Sequence, residues 1–557
     1  MDEYIKMIKK LSKKTKGLSV GIVNKDGFTF EYYFGVIDEK KTPNGSSKKM
    51  MIGSNTKILT AIGIFQLMEK GKLDLDDAIT KHLADFKILS HFEYEKITIR
   101  NILMHRSGLP SDDYSIILNE NRSMSELIPA LKETYMASKP DTMYSYSNIA
   151  FTILGLIIEK LSGLSYPEYI DKYISKPINA TFEFLKNTKE KEAGFDRISR
   201  SFDQKGKVVF DTLGVLLPAG SNTYAKLSDM MKLMKCFLDP DNQPLLQAKT
   251  IRMMMEKPQN DIYEDYEWRH GLGLFFHKLN YATEETGDIV GHGGDTIYHH
   301  SDFQMYPKLG IGIVFMTNTT QGAQEGAIVM KKLFLEELKK LDIKVSKQNL
   351  TKKSFIPLDK NTFSGKYIGS NSLMIDVKLN KKNELICKMQ FLKVQLLLQE
   401  DGWFYLKPRG LAKLPLFKKM IKNLYLKTKK LCGEDVIYIK QINNENFNVM
   451  PFFGKYEHIK EIEKYKHFVG NYQRLTEMVH EKTTFKKISV HQKDGMMYIR
   501  MNTFGKNSNI YISPINENQF IVSGYGRATH ETVSFSKEND KICMRLSGVK
   551  CQKIDLQ

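Results

Sequence analysis

The sequence predicts an α+β protein in which helices lie against one antiparallel sheet and small antiparallel β-barrels follow. Three observations favour this fold class. Helical periodicity is strongest in the middle of the first 340 residues, strand-like runs lie on both sides of it, and beyond about residue 345 short alternating runs with polar turns replace it. A chain of 557 residues is also too long for one ordinary core, so we expect several domains.

The first elements of the chain are predicted as an amphipathic helix over residues 1–17 and a β-hairpin. Strand-like runs at 18–23 and 29–34 flank residues 24–27, NKDG, which suit a tight hairpin turn. Because strands lie both before and after the helices, we expect one sheet closed by both ends of this region. Further elements are predicted as helices over 54–70 and 147–161 and as strands over 271–276, 298–306 and 311–317.

Two segments of the tail resemble each other. Residues 363–367, FSGKY, open one segment and residues 468–472, FVGNY, open the other, and each is followed by a strand-like run and a polar turn. Such a repeat predicts two small antiparallel barrels of about 90–100 residues each. The expected domains are 1–345, 346–465 and 466–557.

The composition is that of a globular protein with a basic surface. Hydrophobic residues make up 41% and charged residues 26%, and the formal net charge is +19. A basic excess is typical of proteins that bind nucleic acid, anionic membranes or acidic substrates. Because the charge is spread along the chain and no nucleic-acid-binding motif accompanies it, we expect a lysine-rich surface and no nucleic-acid partner.

Nothing in the sequence predicts export or membrane insertion. The first residues contain no apolar stretch of signal-peptide length, and no window of about 20 apolar residues occurs. The five cysteines are odd in number and fit neither a zinc site nor a disulfide framework. We therefore expect a reduced, cytoplasmic protein without a transmembrane segment.

A serine and a lysine begin a predicted helix in residues 53–57, GSNTK. Three residues apart on a helix, Ser54 and Lys57 lie on the same face and can form a hydrogen bond. A serine hydroxyl becomes a good nucleophile only when a base takes its proton. Lys57 can be that base if burial and a second cationic or hydrogen-bonding neighbour lower its pKa. The N–H groups at the helix start suit an oxyanion. The alternative is an N-cap serine beside a surface lysine.

A tyrosine and an asparagine precede the next apolar helix, in residues 144–148, YSYSN. Two apart in an extended loop, Tyr146 and Asn148 point the same way. The phenol can relay a proton and the amide can orient a substrate carbonyl. The alternative is ordinary turn chemistry with a packing tyrosine.

The third motif is glycine-rich and lies before a predicted strand, in residues 291–295, GHGGD. Gly293 and Gly294 would let a substrate backbone approach closely and would expose N–H groups. The alternative is a tight turn in which His292 faces solvent.

The order and spacing of these motifs resemble the serine β-lactamase and penicillin-binding-protein superfamily. They are most similar to its class C β-lactamase-related esterases and peptidases, in which the third motif often begins with His instead of Lys. Three further segments resemble segments of that family. They are residues 103–109, LMHRSGL, residues 218–221, PAGS, and residues 310–318, which end in Thr317-Asn318. The resemblance covers residues 15–340.

The resemblance implies a β-lactamase-like domain and a role for each motif residue. Ser54 would be the nucleophile, with Lys57 and Tyr146 as the coupled base and later acid. The N–H groups of Ser54 and Asp295 would form the oxyanion hole, and no cofactor and no metal would be needed. D-aminopeptidase-like members carry two barrels after this domain, and a barrel loop can reach their cleft. Substrate binding is expected from Asn148, His292, Gly293 and Gly294.

The resemblance leaves the substrate open. It implies a serine hydrolase that forms an acyl-enzyme with a small ester, amide or peptide, including one with a D-residue or an N-terminal amino group. The alternatives are β-lactam hydrolysis or D,D-carboxypeptidase activity and, in another class, a catalytically silent binding or scaffold protein. Retention of Ser54, Lys57 and Tyr146 together argues against the silent protein, and the expected cytoplasmic location argues against the other two.

One departure from the family follows the third motif. Residues 296–301, TIYHHS, stand where the family has a small glycine-containing turn, and this bulk is expected to narrow or reshape the cleft. His292, His299, His300 and Asp302 fit no spacing template for a metal site.

A basic segment with apolar residues lies inside the first predicted barrel, at 410–430. Its apolar stripe could lie on an anionic membrane or dock a partner, with lysines opposite. We favour the alternative, a helix or hairpin packed on its own domain with solvated lysines. The apolar stripe comprises Leu414, Phe417, Met420, Ile421 and Leu424.

The sequence leaves the oligomeric state open.

Overall fold

The computed structural model describes residues 2–554 with several segments left out. Its secondary structure consists of an α+β region followed by two β-barrels. The segments left out are 93–95, 120–121, 210–216, 221, 258–268, 278–284, 344–362, 370–372, 432, 443–446, 479–484 and 504–505.

The helices of the described residues occur mainly in the first 340 residues. They are α1 Asp2–Leu11, α2 Thr56–Glu69, α3 Ile79–His82, α4 Ile99–Leu103, α5 Tyr114–Ile117, α6 Leu127–Leu131, α7 Asn148–Ser162, α8 Tyr166–Ile170, α9 Thr188–Ala193, α10 Leu227–Leu238, α11 Ala248–Met254, α12 Gly322–Lys340 and α13 Pro415–Ile421.

The strands of the α+β region form one large sheet and two small ones. They are β1 Gly17–Asn24, β2 Gly27–Gly35, β3 Met50–Met51, β4 Glu183–Phe184, β5 Ser201–Phe202, β6 Val208–Val209, β7 Thr223–Ala225, β8 Arg269–His270, β9 Phe275–His277, β10 Ile289–Asp295, β11 His300–Tyr306 and β12 Ile311–Thr317.

The large sheet is closed by both ends of the region, as the sequence predicts. Its order is β2-β1-β12-β11-β10-β9-β8, and its described pairs are antiparallel. The first strand pairs with the last, with Val20 opposite Phe315. The predicted hairpin at 18–34 is confirmed, whereas residues 271–274 form a turn, in which Gly271 N donates to Leu274 O, instead of the first part of a strand.

Helices α2 and α7 form the centre of the core. Both are apolar around most of their circumference, which predicts burial on all sides, and most of their residues are buried. Ser147 caps α7 by accepting a hydrogen bond from Ala150 N, and Gly163 ends it in the left-handed conformation. The two helices pack so that Lys57, in the first turn of α2, lies 2.7 Å from Asn148 at the start of α7.

The two predicted barrels are present, each closed by eight antiparallel strands. The repeated segments occupy the same place in both, since the OH of Tyr367 donates to Phe363 O and the OH of Tyr472 donates to Phe468 O. The first comprises β13 Gly365–Gly369, β14 Met374–Leu379, β15 Leu385–Met389, β16 Leu392–Leu398, β17 Phe404–Arg409, β18 Leu424–Leu431, β19 Glu434–Ile442 and β20 Phe447–Tyr456. The second comprises β21 Gly470–Arg474, β22 Lys486–Lys493, β23 Met496–Thr503, β24 Lys506–Pro514, β25 Gln519–Val522, β26 Thr532–Glu538, β27 Lys541–Leu546 and β28 Val549–Ile554.

The second barrel packs against the α+β region. Tyr114 N donates to Ser547 O at 2.9 Å, and Arg545 pairs with Glu133 at 2.6 Å. Leu118 belongs to the apolar core of the barrel itself. These contacts bring the loop between β25 and β26 to the N-terminal end of α7. The domain boundaries at 345 and 465 stay predictions.

Among the described helices, no single one combines the length and apolar character needed to cross a membrane. One pair, Asn148–Ser162 with Tyr166–Ser175, meets the length and composition criteria only together, and it is bent by 75°.

Candidate active site

A short 3₁₀ turn, Gly53–Asn55, places Ser54 immediately before α2. The turn is fixed by Ser301, whose hydroxyl donates to Ile52 O at 2.7 Å and accepts from Asn55 Nδ2 at 2.7 Å. Gly53 has φ +51°, and a Cβ there would lie 3.0 Å from Asp295 N. The backbone of the third motif therefore lies directly against the turn that carries the candidate nucleophile.

Lys57 lies fully buried one turn into α2, and its amine meets three partners. Nζ is 3.0 Å from Ser54 Oγ and 2.7 Å from Asn148 Oδ1, and it also donates to Ala219 O. Asn148 Oδ1 and Ala219 O can only accept, so a neutral amine would use its two hydrogens on them. Its lone pair would then face the hydroxyl of Ser54.

The environment of Lys57 favours that neutral form. Burial lowers the pKa of Lys57 well below its ordinary value, and the positive charge of Arg527 acts in the same direction. The negative charge of Asp112 acts against them. The second barrel thus supplies, in Arg527, a cationic neighbour that lowers the pKa of Lys57.

Tyr146 lies beside this pair. Its ring centroid is 4.9 Å from Lys57 Nζ, and its side chain forms a hydrogen bond with Ser54. Burial raises the pKa of Tyr146 to about 12, although that hydrogen bond and the charge of Arg527 lower it. The phenol is therefore neutral near pH 7 and can donate a proton, so Lys57 is the better candidate base.

Asn148 links the lysine to a buried carboxylate. While its Oδ1 accepts from Lys57, its Nδ2 donates to Asp112 Oδ1 at 2.6 Å. Both ends of the amide are therefore engaged within the protein, which holds Lys57 in place. The expected contact of Asn148 with substrate stays a prediction.

Asp112 is in turn held by Arg527 from the loop between β25 and β26. Arg527 donates to Asp112 Oδ2 at 2.6 Å and to Ser111 Oγ at 2.9 Å, and its guanidinium carbon lies 5.4 Å from the Tyr146 ring centroid. Burial raises the pKa of Asp112, but the charge of Arg527 and hydrogen bonds from Asn148, Arg527 and Ser111 outweigh it and lower the pKa overall. Asp112 is thus ionised at the centre of a network that spans two domains.

A cluster of three buried histidines, His105, His270 and His292, packs near Tyr146. One nitrogen of each lies within 4.8 Å of the others, which is the spacing of a possible metal site. Ser147 N donates to Nδ1 of His105 at 3.1 Å, however, so the neutral ring carries its proton on Nε2. That tautomer makes His105 a poor metal ligand through Nε2. The predicted substrate-binding residue His292 is buried and donates from Nδ1 to Gly293 O.

The two glycines of the third motif differ in their surroundings. A Cβ at Gly294 would lie 1.9 Å from Ile52 O, so only glycine allows β10 to approach the turn of Ser54 so closely. A Cβ at Gly293 would meet nothing within 4 Å. Gly294 therefore positions the strand, and the open face at Gly293 leaves room for a substrate.

The bulky residues after the third motif are mostly directed inward. His299 is buried and its Nδ1 accepts from Met51 N at 3.3 Å, and burial lowers the pKa of His299 to about 3. His300 is also buried, 3.3 Å from Asp295 Oδ1. These two rings support the strands behind the site instead of narrowing the cleft. Ile297 and Tyr298 are half-buried, and their effect on the cleft stays a prediction.

Asp112, Arg527 and His270 belong to none of the three sequence motifs. Asp112 has a weak signal, because it closely follows the family-like segment 103–109. His270 precedes Gly271-Leu272-Gly273, which lies outside the three motifs. Arg527 has no local signal, since its loop becomes part of the site only through the packing of the second barrel.

The comparisons with known proteins agree with this architecture. The model of the family described as "Beta-lactamase" matches residues 4–332. The crystal structure of SurE aligns with 82% of this chain over 98% of its own length, with a TM-score of 0.58 and 17% sequence identity. The structure of the octameric penicillin-binding protein homologue from Pyrococcus abyssi aligns with 81% of this chain over 99% of its own length, with a TM-score of 0.52 and 19% sequence identity. These two structures are similar in fold.

Two curated relatives match over shorter stretches. Protein flp of Staphylococcus aureus (strain MW2) is 33% identical over 178 residues, 31% of this chain and 36% of its own. Penicillin-binding protein 4* of Bacillus subtilis (strain 168) is 30% identical over 160 residues, 27% of this chain and 33% of its own. The chain therefore matches about a third of the length of each relative.

The fold is that of the serine hydrolases related to β-lactamases and penicillin-binding proteins, with two barrels after the α+β domain. The chain belongs to the Beta-lactamase family.

Proposed function

We propose that the protein is a serine hydrolase that transfers an acyl group from a small ester, amide or peptide to Ser54 and then to water. The observation that carries this proposal is the set of hydrogen bonds around Lys57. Its two obligate acceptors, Asn148 Oδ1 and Ala219 O, leave the lone pair of a neutral amine for Ser54 Oγ–H, 3.0 Å away.

In the acylation step Lys57 Nζ takes the proton of Ser54 Oγ as this oxygen forms a bond to the substrate carbonyl carbon. The carbonyl π electrons move to oxygen, and the N–H groups of Ser54 and Asp295 stabilise that negative charge. As the tetrahedral intermediate collapses, the neutral phenol of Tyr146 protonates the leaving oxygen or nitrogen. Lys57 then returns its proton to Tyr146, so the pair acts as one proton-transfer unit.

Deacylation repeats these steps with water as the nucleophile. Lys57 removes a proton from water as the water oxygen attacks the acyl-enzyme, and Ser54 Oγ leaves as it regains a proton. Asp112 and Asn148 do not exchange protons in this scheme. They hold the amine of Lys57 in line with Ser54 Oγ, at a distance of 2.7 Å from Asn148.

A fluorophosphonate labelling experiment tests the nucleophile. We expect one covalent adduct on the wild-type protein, mapped by peptide mass spectrometry to Ser54, and loss of both labelling and nitrophenyl-ester hydrolysis in Ser54→Ala. Ser162→Ala, at the end of α7, is the matched control and should label and hydrolyse as the wild type does. An unlabelled wild-type protein would instead favour the silent binding protein, and wild-type turnover by Ser54→Ala would rule out this nucleophile.

The acyl donor is tested with a substrate panel. One of the structures similar in fold is SurE with D-Leu, at 18% identity, so the panel includes amides and peptides with D-residues as well as nitrophenyl esters. A chromogenic cephalosporin and a peptide ending in D-Ala-D-Ala represent the two alternatives. We expect turnover of esters, amides or peptides at rates well above those for the cephalosporin and the D-Ala-D-Ala peptide. The reverse ranking would assign the protein to β-lactam hydrolysis or D,D-carboxypeptidase activity.

A further inference from the structure

The most exposed large apolar side chains of the described residues lie together on the first barrel. Five side chains are between 50% and 69% exposed, and every other exposed large apolar side chain is below 50%. Four of them occur in the short segment around α13, and the fifth lies in the turn between β15 and β16. The five are Phe391, Leu411, Leu414, Leu416 and Met420.

The packing of α13 explains why they face outward. Ile421 is buried in the core of the barrel and Phe417 packs against that core. Leu416 and Met420, four residues apart, share another face of the helix and point away from the barrel. The stripe predicted from sequence is thus divided, with one part packed on the domain and the other exposed. The ring of Phe391 lies 5.4 Å from that of Phe417, so the turn and the helix form one continuous surface.

The surroundings of these side chains are strongly basic. Residues 402–433 contain no Asp or Glu. Four exposed lysines of this segment lie next to the apolar side chains in the chain: Lys413, Lys418, Lys419 and Lys422. We call these four lysines and the five apolar residues the apolar–basic patch. The other Lys and Arg of the segment are Lys407, Arg409, Lys427, Lys429 and Lys430.

We infer that the apolar–basic patch binds the surface of an anionic lipid bilayer. Leucine and methionine side chains on a short helix can insert among acyl chains, while flanking lysines contact lipid phosphates and keep their ammonium groups in the headgroup layer. The absence of carboxylates over residues 402–433 favours a partner that is uniformly negative, as an anionic bilayer is. Binding of this kind is peripheral and reversible, and salt weakens it.

Vesicle co-sedimentation of the full-length protein tests the inference. Wild-type protein should sediment with vesicles of equal parts phosphatidylcholine and phosphatidylglycerol, but not with phosphatidylcholine alone, and high salt should release it. The double variant Leu416→Ser/Met420→Ser and the double variant Lys418→Glu/Lys419→Glu should each reduce the bound fraction several-fold. Because all four side chains are exposed, these variants are expected to fold, and circular dichroism and hydrolysis of a nitrophenyl ester check that.

Matched controls change similar side chains elsewhere. Phe28→Ser/Leu341→Ser removes two exposed apolar groups, and Lys25→Glu/Lys40→Glu reverses two exposed lysines, all in the α+β region. Both should bind the mixed vesicles as the wild type does. Failure of the wild type to bind, or equal losses in control and patch variants, would overturn the inference. A different result would also overturn it: the wild type binds no vesicles and forms a dimer in sedimentation velocity, and Leu416→Ser/Met420→Ser dissociates that dimer. The patch would then join two copies of the chain.

Discussion

Lys57 is the residue at which the chemistry of the site is decided, because its charge state determines whether Ser54 has a base. Two influences on that charge come from far apart in the chain. The core of α2 and α7 removes the amine from water, and the loop of the second barrel brings Arg527 close to it. Burial alone would lower the pKa of a lysine, and a nearby cation lowers it further.

Replacing Arg527 should therefore change the pH profile. In Arg527→Met the pKa of Lys57 rises, since a positive charge is lost and Asp112 loses its partner. A base with a higher pKa is protonated up to a higher pH, so the acid limb of kcat/KM should move upward and activity at pH 7 should fall by roughly 3- to 10-fold. The rate at alkaline pH should largely recover, and Arg527→Lys should restore part of the shift.

Arg545→Met is the control for this prediction. Arg545 also comes from the second barrel and pairs with a carboxylate of the α+β region, Glu133, at 2.6 Å. Loss of Arg545 should leave the pH profile of kcat/KM where it is in the wild type. An equal reduction at every pH in Arg527→Met would show that the residue supports structure alone.

Lys57 and Tyr146 should behave as one unit in a double-mutant cycle. Each of Lys57→Ala and Tyr146→Phe removes a step of the same proton transfer, so either one should abolish most of the rate enhancement. The double variant should then lose little more than the worse single variant, as for other catalytic groups that act together. Steady-state kinetics with a nitrophenyl ester measures this, and a loss equal to the product of the two single losses would indicate independent roles.

Local spacing made part of the site predictable at this scale. Ser54 and Lys57 are three apart, so their contact follows from the geometry of a helix start. Tyr146 and Asn148 are two apart, but Asn148 is already the first residue of α7 and does not lie in the expected extended loop. The cross-links between these pairs depend on packing. No local rule predicts that Asn148 joins Lys57 to Asp112, or that Arg527 completes the network.

At the scale of elements, the best-predicted boundaries are those with strong local signals. Ser147 and Gly163 define α7 to within a residue, because an N-cap hydroxyl and a left-handed glycine act through the nearest turn. Helix α1 ends at Leu11, short of the predicted residue 17, because the chain from Gly17 onward forms strand β1 of the sheet. Gly17 N donates to Asn318 Oδ1 and Lys16 N to Thr319 Oγ1, contacts that no local pattern shows.

The loop between β25 and β26 carries a further buried acid, Glu531. It accepts from Ser111 N at 2.9 Å and from the hydroxyl of Ser547, so it fastens the loop to the segment that holds Asp112. Burial raises the pKa of Glu531 to about 7, although these hydrogen bonds lower it. The folded protein thus binds a proton here at pH values where the unfolded chain has released it.

Glu531 should make the protein less stable as pH rises. Because the folded pKa lies above the unfolded one, its stabilising effect is complete below about pH 4.5 and is lost progressively as pH rises through about 7. The difference corresponds to at most roughly 3 kcal/mol of unfolding free energy. In Glu531→Gln this component should disappear, so the Tm of the variant should change less than that of the wild type between about pH 5 and 8. Parallel slopes in thermal unfolding scans would contradict the assignment.

At the scale of the whole molecule, the order of the domains could be predicted but their contacts could not. The repeat of FSGKY and FVGNY, with the same tyrosine hydrogen bond in each barrel, follows from local sequence. The docking of the second barrel combines the apolar side chain of Leu118 with dispersed polar pairs such as Arg545 with Glu133 and Gln519 with Tyr135. Such pairs leave no pattern that distinguishes them from other surface residues.

The second barrel should therefore limit which substrates reach Ser54. Its loop places Arg527 over the Tyr146 ring, at 5.4 Å, so part of the cleft wall belongs to the barrel and not to the α+β region. A wall of this kind excludes large acyl donors more than it changes the chemical step. Exchange of residues 524–529 for a Gly/Ser loop of the same length removes the wall, while the contacts that Gln519, Arg545 and Ser547 make with the α+β region are left in place.

The exchanged enzyme should still hydrolyse a small nitrophenyl ester while gaining several-fold in relative kcat/KM on larger amides and peptides. The comparison must be made at alkaline pH, because loss of Arg527 also raises the pKa of Lys57 and would reduce every rate near pH 7. An equivalent exchange of residues 516–518, in the exposed turn between β24 and β25, is the control and should leave the ratio of large to small substrates as it is in the wild type. The small ester reports the chemical step and the large amide reports access to the cleft. If the ratio of large to small substrates is also unchanged in the 524–529 exchange, the barrel supports the site electrostatically without gating it.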